Sequence, residues 1–277
     1  MNINCSGQLV DLSVPKIMGI LNITPDSFYA NSRYDDLSKV LIQVEKMLSA
    51  GATFLDIGGH STRPGARPVD GDEELSRVIP VVESILKRFP EALISIDTFR
   101  SEVASRCVEA GAIMVNDVSG GLLDDKMFET VASLNVPYVL MHSRGTPETM
   151  QQMTDYDDLV VDVLDDLQQK VAQLRQFGQK DIIVDLGFGF AKTADQNYIL
   201  LNHLRDFEVM NCPMLVGVSR KSMIWRKLNI TANEALNATT VLNTIALMKG
   251  ANILRVHDVA EAIEAVKLVD FLTVGEK

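Results

Sequence analysis

Ionisable and amide side chains recur where the short apolar runs of this chain end. Ile17–Leu21 leads into Asn22, Leu93–Ile96 into Asp97, and Ile113–Val115 into Asn116 and Asp117. Tyr138–Met141 leads into His142, Ile182–Val184 into Asp185, and Met214–Val218 into Ser219, Arg220 and Lys221. Ile253–Val256, with Arg255 inside it, ends at His257. Two chemistries are represented. Asp97, Asn116 and Asp185 offer carboxylate acceptors and one amide, which suit the polar edge of a flat heterocycle. Lys221, Arg255 and His257 offer donors and positive charge, which suit an anion.

Each group also has an ordinary reading. Asp185 can cap the turn through Leu186-Gly187-Phe188-Gly189-Phe190, and Asp97 can cap the helix that starts after Thr98. His257-Asp258 can be an N-cap pair. Ser219-Arg220-Lys221-Ser222 is a basic helix start, so backbone N–H groups and two cations can address one anion; a solvated cap is the alternative. The amide oxygen of Asn22 is a hard ligand suited to Mg²⁺ with help from phosphate and water, or it is a turn asparagine. Ser61-Thr62-Arg63-Pro64-Gly65 offers hydroxyls and one arginine to a phosphate or carboxylate, or is a proline–glycine turn.

Something must bring these strand ends together. Apolar residues recur at helical spacing along Leu75–Phe89, Leu159–Leu174 and Val259–Val266, and Gly51, Gly111, Gly178 and Gly250 stop helices just before new strands. Eight β–α units follow, with strands near 17–22, 53–58, 93–97, 113–117, 138–142, 182–185, 214–219 and 253–257. Connections into strands are short. Several leaving them are long: Thr24–Tyr34, His60–Gly71 and Ser143–Asp155. This asymmetry predicts a single (β/α)8 TIM barrel over 1–277, its site at the C-terminal strand ends. An open doubly wound sheet is the competing fold.

Bulk properties set outer bounds. At 277 residues the chain has the size of one such barrel, which takes roughly 250. A formal charge of −11 argues against nucleic acid or an anionic membrane as partner, though not against a local anion site. The three scattered cysteines, Cys5, Cys107 and Cys212, read as idle thiols in a reducing compartment. No apolar run approaches the roughly 18 residues of a membrane span, and a cytoplasmic protein is expected. Trp225 and the twelve methionines read as packing residues, and the acidic run Asp157–Asp166 as a solvated helix face.

Seven segments together resemble the dihydropteroate synthase family. They are Met18–Phe28, Gly58–Gly65, Ser95–Thr98, Asn116–Gly120, Asp185–Phe190, Ser219–Ser222 and Arg255–Asp258, in order along nearly the whole chain. The resemblance implies a homodimeric barrel that joins p-aminobenzoate to 6-hydroxymethyl-7,8-dihydropterin diphosphate with release of pyrophosphate. It implies that Asp97, Asn116, Asp185 and Lys221 hold the pterin. Asn22 with Mg²⁺, Thr62, Arg63, Arg255 and His257 would hold the diphosphate. Arg63, Pro64, Phe190, Lys221 and Ser222 would shape the p-aminobenzoate pocket, the target of sulfonamides that mimic this substrate. Arg255, His257, Lys221 and Asn22 would carry the catalysis.

The chain departs from the family pattern in places. His60 stands where an acid is common, Tyr29-Ala30-Asn31-Ser32 replaces an Asp-Gly-Gly segment, Leu186 replaces a proline, and Ala191 replaces a glycine. A pterin-dependent methyltransferase barrel and a catalytically idle pterin-binding paralogue are the alternative functions. The first has no need of the basic cluster at Arg220–Ser222 with Arg255 and His257.

Overall fold

The computed structural model describes residues 1–23, 33–60 and 69–273. Two short antiparallel strands, β1 (Asn2–Cys5) and β2 (Gln8–Asp11), turn through Ser6 and Gly7. Eight parallel strands follow: β3 (Lys16–Asn22), β4 (Phe54–Gly58), β5 (Leu93–Asp97), β6 (Met114–Asp117), β7 (Tyr138–Met141), β8 (Ile182–Asp185), β9 (Met214–Val216) and β10 (Ile253–Val256). They pair in chain order, and β10 returns to β3, so the sheet closes. Closure removes the doubly wound alternative.

Helices α1 (Arg33–Ala50), α2 (Gly71–Arg88), α3 (Ser101–Glu109), α4 (Met127–Leu134), α5 (Leu159–Gln176), α6 (Ala194–Asn202), α7 (Ser222–Leu228), α8 (Leu236–Met248) and α9 (Val259–Thr273) alternate with the strands. Their apolar stripes bury against the outward strand residues in one continuous core that includes Ile17, Leu55, Ile94, Val115, Leu140, Val184, Val216 and Leu254. The glycines expected to end helices do so: Gly51, Gly111, Gly178 and Gly250 all have φ between +91° and +110°. Asp158, one of the acids read as solvated surface, instead caps α5 by accepting from Val160 N and Val161 N.

The barrel interior is what positions the site. Strand side chains alternate faces, so every second residue points inward. One apolar layer takes a single residue from each strand: Met18, Phe54, Leu93, Met114, Val139, Ile183, Leu215 and Ile253. The β1–β2 hairpin plugs this end with Ile3, Cys5, Val10 and Leu12. Two residues further along, five of the eight inward positions are polar, Asp56, Ser95, Asn116, Asp185 and Arg255, beside Ile20, Met141 and Gly217. Asp56 and Ser95 are fully buried, and Asn116 and Asp185 nearly so. Charge in a barrel interior is costly without partners. These groups must therefore satisfy one another or a bound molecule.

Candidate active site

Arg255 links the interior polar layer. Its Nε donates to Asp56 Oδ2 at 2.6 Å and its Nη2 to Asp97 Oδ2 at 2.6 Å. Asn116 Nδ2 donates to the same Asp56 oxygen at 2.9 Å. One guanidinium thus holds two carboxylates and, through Asp56, orients an amide. Asp56 escaped the sequence reading because it lies mid-strand in a run that ends on Gly58, not on a polar residue. A carboxylate inside the fully buried run Phe54–Gly58 was the available signal, since a charge there requires a partner. Burial pushes the Asp97 carboxyl up to about 6; Arg255 opposes this, and Asp56 adds to it. Asp56 Oδ1, Asp97 Oδ1 and Ser95 Oγ are buried without a hydrogen-bond partner among the described residues. Such acceptors are open to the N–H groups of a ligand.

Opposite them, the β8–α6 turn builds a second wall. Asp185 Oδ1 accepts from Gly187 N at 2.8 Å, and burial raises this carboxyl against the nearby Lys221 charge. Lys221 Nζ donates to Phe188 O at 2.5 Å and sits 4.9 Å from the centre of the Phe190 ring. Burial lowers the Lys221 ammonium to about 8, with Asp185 opposing. Gly187 is required by geometry: its φ is +69°, and a Cβ there would lie 1.9 Å from His142 O.

His257 and Ser219 meet at the ends of β10 and β9. Ser219 Oγ lies 3.0 Å from His257 Nδ1 and accepts from His257 N at 3.2 Å. Arg220 does not join Lys221 at the anion space. Its Nε and Nη2 grip Asp258 at 2.8 and 2.9 Å, and Nη1 donates to Ala232 O and Asn233 O. With a φ of +53°, Arg220 turns its side chain away and anchors the α7–α8 connection instead. Asp258 is spent on that anchor.

Asn22 ends β3 and is exposed, paired in register with Gly58, which in turn pairs with Asp97. The described residues contain no cluster of three His, Cys, Asp or Glu that could hold a metal ion by itself. The amide oxygen of the exposed Asn22 is a hard donor of the kind that can hold Mg²⁺ together with phosphate oxygens and water. Thr62, Arg63 and Pro64 lie outside the described residues, as do Tyr29–Ser32. Ser222 opens α7 directly after Lys221.

The His60 side chain is enclosed just beyond the end of β4. Its Nδ1 is 3.4 Å from Glu74 Oε1, with side-chain exposures of 6% and 0%, and its ring meets Phe99 edge-on at 4.9 Å. Glu74 also pairs with Arg100, which donates to Val69 O and stacks over Phe99. The residue that departs from the family pattern thus lies within ion-pair distance of the buried Glu74–Arg100 pair, without a hydrogen bond to either ring nitrogen among the described residues.

Asp97, Asn116, Asp185, Lys221 and Arg255 therefore converge on one mouth, as their positions at strand ends required. The family described as "Pterin binding enzyme" matches residues 18–257. Dihydropteroate synthase of Escherichia coli K12 is 43% identical over 272 residues, covering 98% of this chain and 96% of that protein. Dihydropteroate synthase of Bacillus subtilis is 43% identical over 256 residues, covering 92% and 87%. The Yersinia pestis dihydropteroate synthase structure in complex with a sulfonamide drug superposes with a TM-score of 0.92 at 40% identity, covering 99% of this chain and all of that one. That of Xanthomonas albilineans with 4-aminobenzoic acid gives 0.90 at 35%, covering 98% of each. The chain belongs to the dihydropteroate synthase family of pterin-binding transferases.

Proposed function

We propose that the chain joins p-aminobenzoate to 6-hydroxymethyl-7,8-dihydropterin diphosphate, giving 7,8-dihydropteroate and pyrophosphate in folate biosynthesis. The observation that carries this reading is the Arg255 guanidinium, buried between Asp56 and Asp97 beside unsatisfied acceptors and within electrostatic reach of Asp185 and Lys221. Asp97, Asn116 and Asp185 would take the pterin N–H and carbonyl edge, and Lys221 would donate to it. Arg255 and His257, with Thr62 and Arg63, would receive the diphosphate. Phe190 and Ser222, with Arg63 and Pro64, would seat p-aminobenzoate; the Phe190 ring already packs against the Lys221 ammonium.

The chemistry needs orientation and charge stabilisation more than a strong base. The C–O bond to the methylene breaks, and pyrophosphate leaves with the electron pair. The pterin ring delocalises the cation, the aniline nitrogen forms the C–N bond, and its proton passes to pyrophosphate or solvent. Arg255 and His257 would stabilise the departing charge, while Asp185 and Lys221 fix the ring so that the breaking C–O bond can stand across its plane and overlap the π system. Mg²⁺, when bound near Asn22, would neutralise further phosphate charge.

A homodimer fits the surface. Val241 and Met248 of α8 and Leu268, Phe271 and Leu272 of α9 are 50–77% exposed on two adjoining helices. An apolar patch of this kind marks an association surface. Leu268→Glu should then shift sedimentation from dimer to monomer. Buried free thiols at Cys5, Cys107 and Cys212, and no described helix long and apolar enough to cross a membrane, suit the cytoplasm.

The direct test is product analysis by mass spectrometry with both substrates and Mg²⁺, with and without a chelator. Dihydropteroate formed only with metal supports the proposal. Pterin bound without turnover would identify an idle paralogue, and methyl transfer in a parallel reaction given a methylated folate would identify the other barrel family.

A further inference from the structure

Behind the site lies a cation the chemistry above does not use. Lys192, only 3% exposed, donates from Nζ to Gly187 O at 3.1 Å and to Phe190 O at 3.0 Å, and meets His142 Nδ1 at 2.9 Å. Gly187 and Phe190 bracket the β8–α6 turn. The front of that turn presents Gly187 N to Asp185, Phe188 O to Lys221, and the Phe190 ring to the same ammonium. The turn is pinned at its centre as well, where Gly189 N donates to Asn197 Oδ1 at 2.6 Å. No other cation bonds the turn's carbonyls from behind among the described residues.

We propose that Lys192 is a positioning residue: from behind the turn it ties Gly187 O and Phe190 O to His142, so that Asp185 and Lys221 face the pterin in register. This rests on the reading that Asp185 and Lys221 hold the pterin. Three features fit it. The lysine is wholly enclosed, so its ammonium has no solvent to compensate a lost partner. His142 is also fully buried, and its Nδ1 meets the Lys192 ammonium as its side chain's hydrogen-bond partner, Nε2 having none among the described residues. Burial lowers the Lys192 ammonium to about 7, with Asp185 opposing, so holding a charge there is costly. A buried ammonium whose two carbonyl acceptors both belong to one turn, and whose third partner lies on the neighbouring strand end, fixes that turn against the barrel.

The test is calorimetric titration with 6-hydroxymethyl-7,8-dihydropterin diphosphate, without p-aminobenzoate, alongside melting temperatures. Lys192→Met removes the donors and should weaken pterin binding at least tenfold, about 1.4 kcal/mol. Lys192→Gln, which still donates two hydrogen bonds, should restore affinity to within about threefold of the parent. His142→Leu, which leaves the lysine but removes its third anchor, should weaken binding about threefold or more, and decides the matter if Lys192→Met does not fold. Unchanged affinity in Lys192→Met or His142→Leu overturns the proposal. So does equal loss in the Met and Gln variants in step with melting temperature, the sign of a merely structural lysine. Asp185→Asn in the same titration separates the two claims. If it binds normally, the pterin assignment itself fails; if it loses affinity while the Lys192 and His142 variants do not, only the positioning role fails.

Discussion

Arg255 and Asp97 meet at 2.6 Å although 158 positions separate them in the chain, and the same guanidinium reaches Asp56 at an equal distance. Strands β4, β5 and β10 are thereby bound together across the barrel interior, above the apolar layer and below the mouth. The contact lies on two links at once: it stabilises the closed barrel, and it presets the donors and acceptors that a pterin diphosphate would meet.

Removing Asp56 should therefore injure both. Asp56→Ala leaves Arg255 with one carboxylate and Asn116 without its acceptor. Breaking a buried charged pair in this way costs on the order of 3 kcal/mol. Denaturant unfolding should show a loss of that size, and the KM for the pterin substrate should rise at least tenfold. A stable variant with normal KM would remove Asp56 from the site.

The pH profile follows from Asp97 and Lys221. Asp97, raised by burial to about 6, becomes protonated below that pH and loses its anionic acceptor. Lys221, lowered by burial to about 8, loses its charge above that pH. The dependence of kcat/KM on pH should be bell-shaped, with limbs near 6 and 8. Asp97→Asn should flatten the acid limb, and Lys221→Met the alkaline one. A parent profile level from pH 5 to 9 would contradict both assignments.

His60 and Glu74 make a pH-dependent contribution to stability. Burial disfavours the His60 charge, but the Glu74 and Asp97 carboxylates outweigh it, and the folded imidazolium is held above its ordinary range. Its contribution is complete below the ordinary histidine value and is lost as pH rises through the raised one. Burial likewise opposes the Glu74 charge, yet His60, Thr98 and Arg100 hold that carboxyl below its ordinary value. Its share is present above the ordinary glutamate range and fades on acidification. Stability measured against pH should therefore fall from mildly acid to alkaline solution by more in the parent than in His60→Ala. Parallel curves would show that the pair does not form.

Ala191 stands at φ +50°, fully buried, where the family commonly has glycine. The left-handed conformation costs an alanine roughly 1–2 kcal/mol. Ala191→Gly would relieve that, lose about 0.8 kcal/mol of methyl burial, and pay a further 0.4–1 kcal/mol in unfolded-chain entropy. The terms nearly cancel, which explains why the departure is tolerated. Ala191→Gly should stay within about 1 kcal/mol of the parent, while Ala191→Val, β-branched at positive φ, should cost more than 2 kcal/mol or so. Equal stability of the glycine and valine variants would show that the turn is not strained.

The barrel and much of its mouth were legible because each apolar run is short, β-rich and ends on a polar residue, and glycines mark the helix ends. Asp97, Asn116, Asp185, Lys221 and Arg255 were found that way, and the structure gathers them. Asp56 was not: like Arg255 it sits inside its strand, but its run ends on Gly58, with no polar strand-end neighbour such as His257 to point to it. Lys192 was passed over because a lysine after a glycine-rich turn reads as solvated, and only the fold shows it enclosed. Arg220 was misread for the opposite reason: its neighbour Lys221 faces the mouth, but one residue at positive φ reverses direction. The β1–β2 hairpin carried a Ser6-Gly7 turn between alternating residues, a weak signal in strands of four residues each.

The central claim is that one mouth holds a pterin slot beside a separate diphosphate clamp. Titrating 6-hydroxymethylpterin and its diphosphate into Asp185→Asn and His257→Gln tests it directly. Asp185→Asn should weaken both ligands by the same factor, tenfold or more, whereas His257→Gln should weaken only the diphosphate. Undiminished affinity of both ligands for Asp185→Asn, or equal loss of both in His257→Gln, would contradict it.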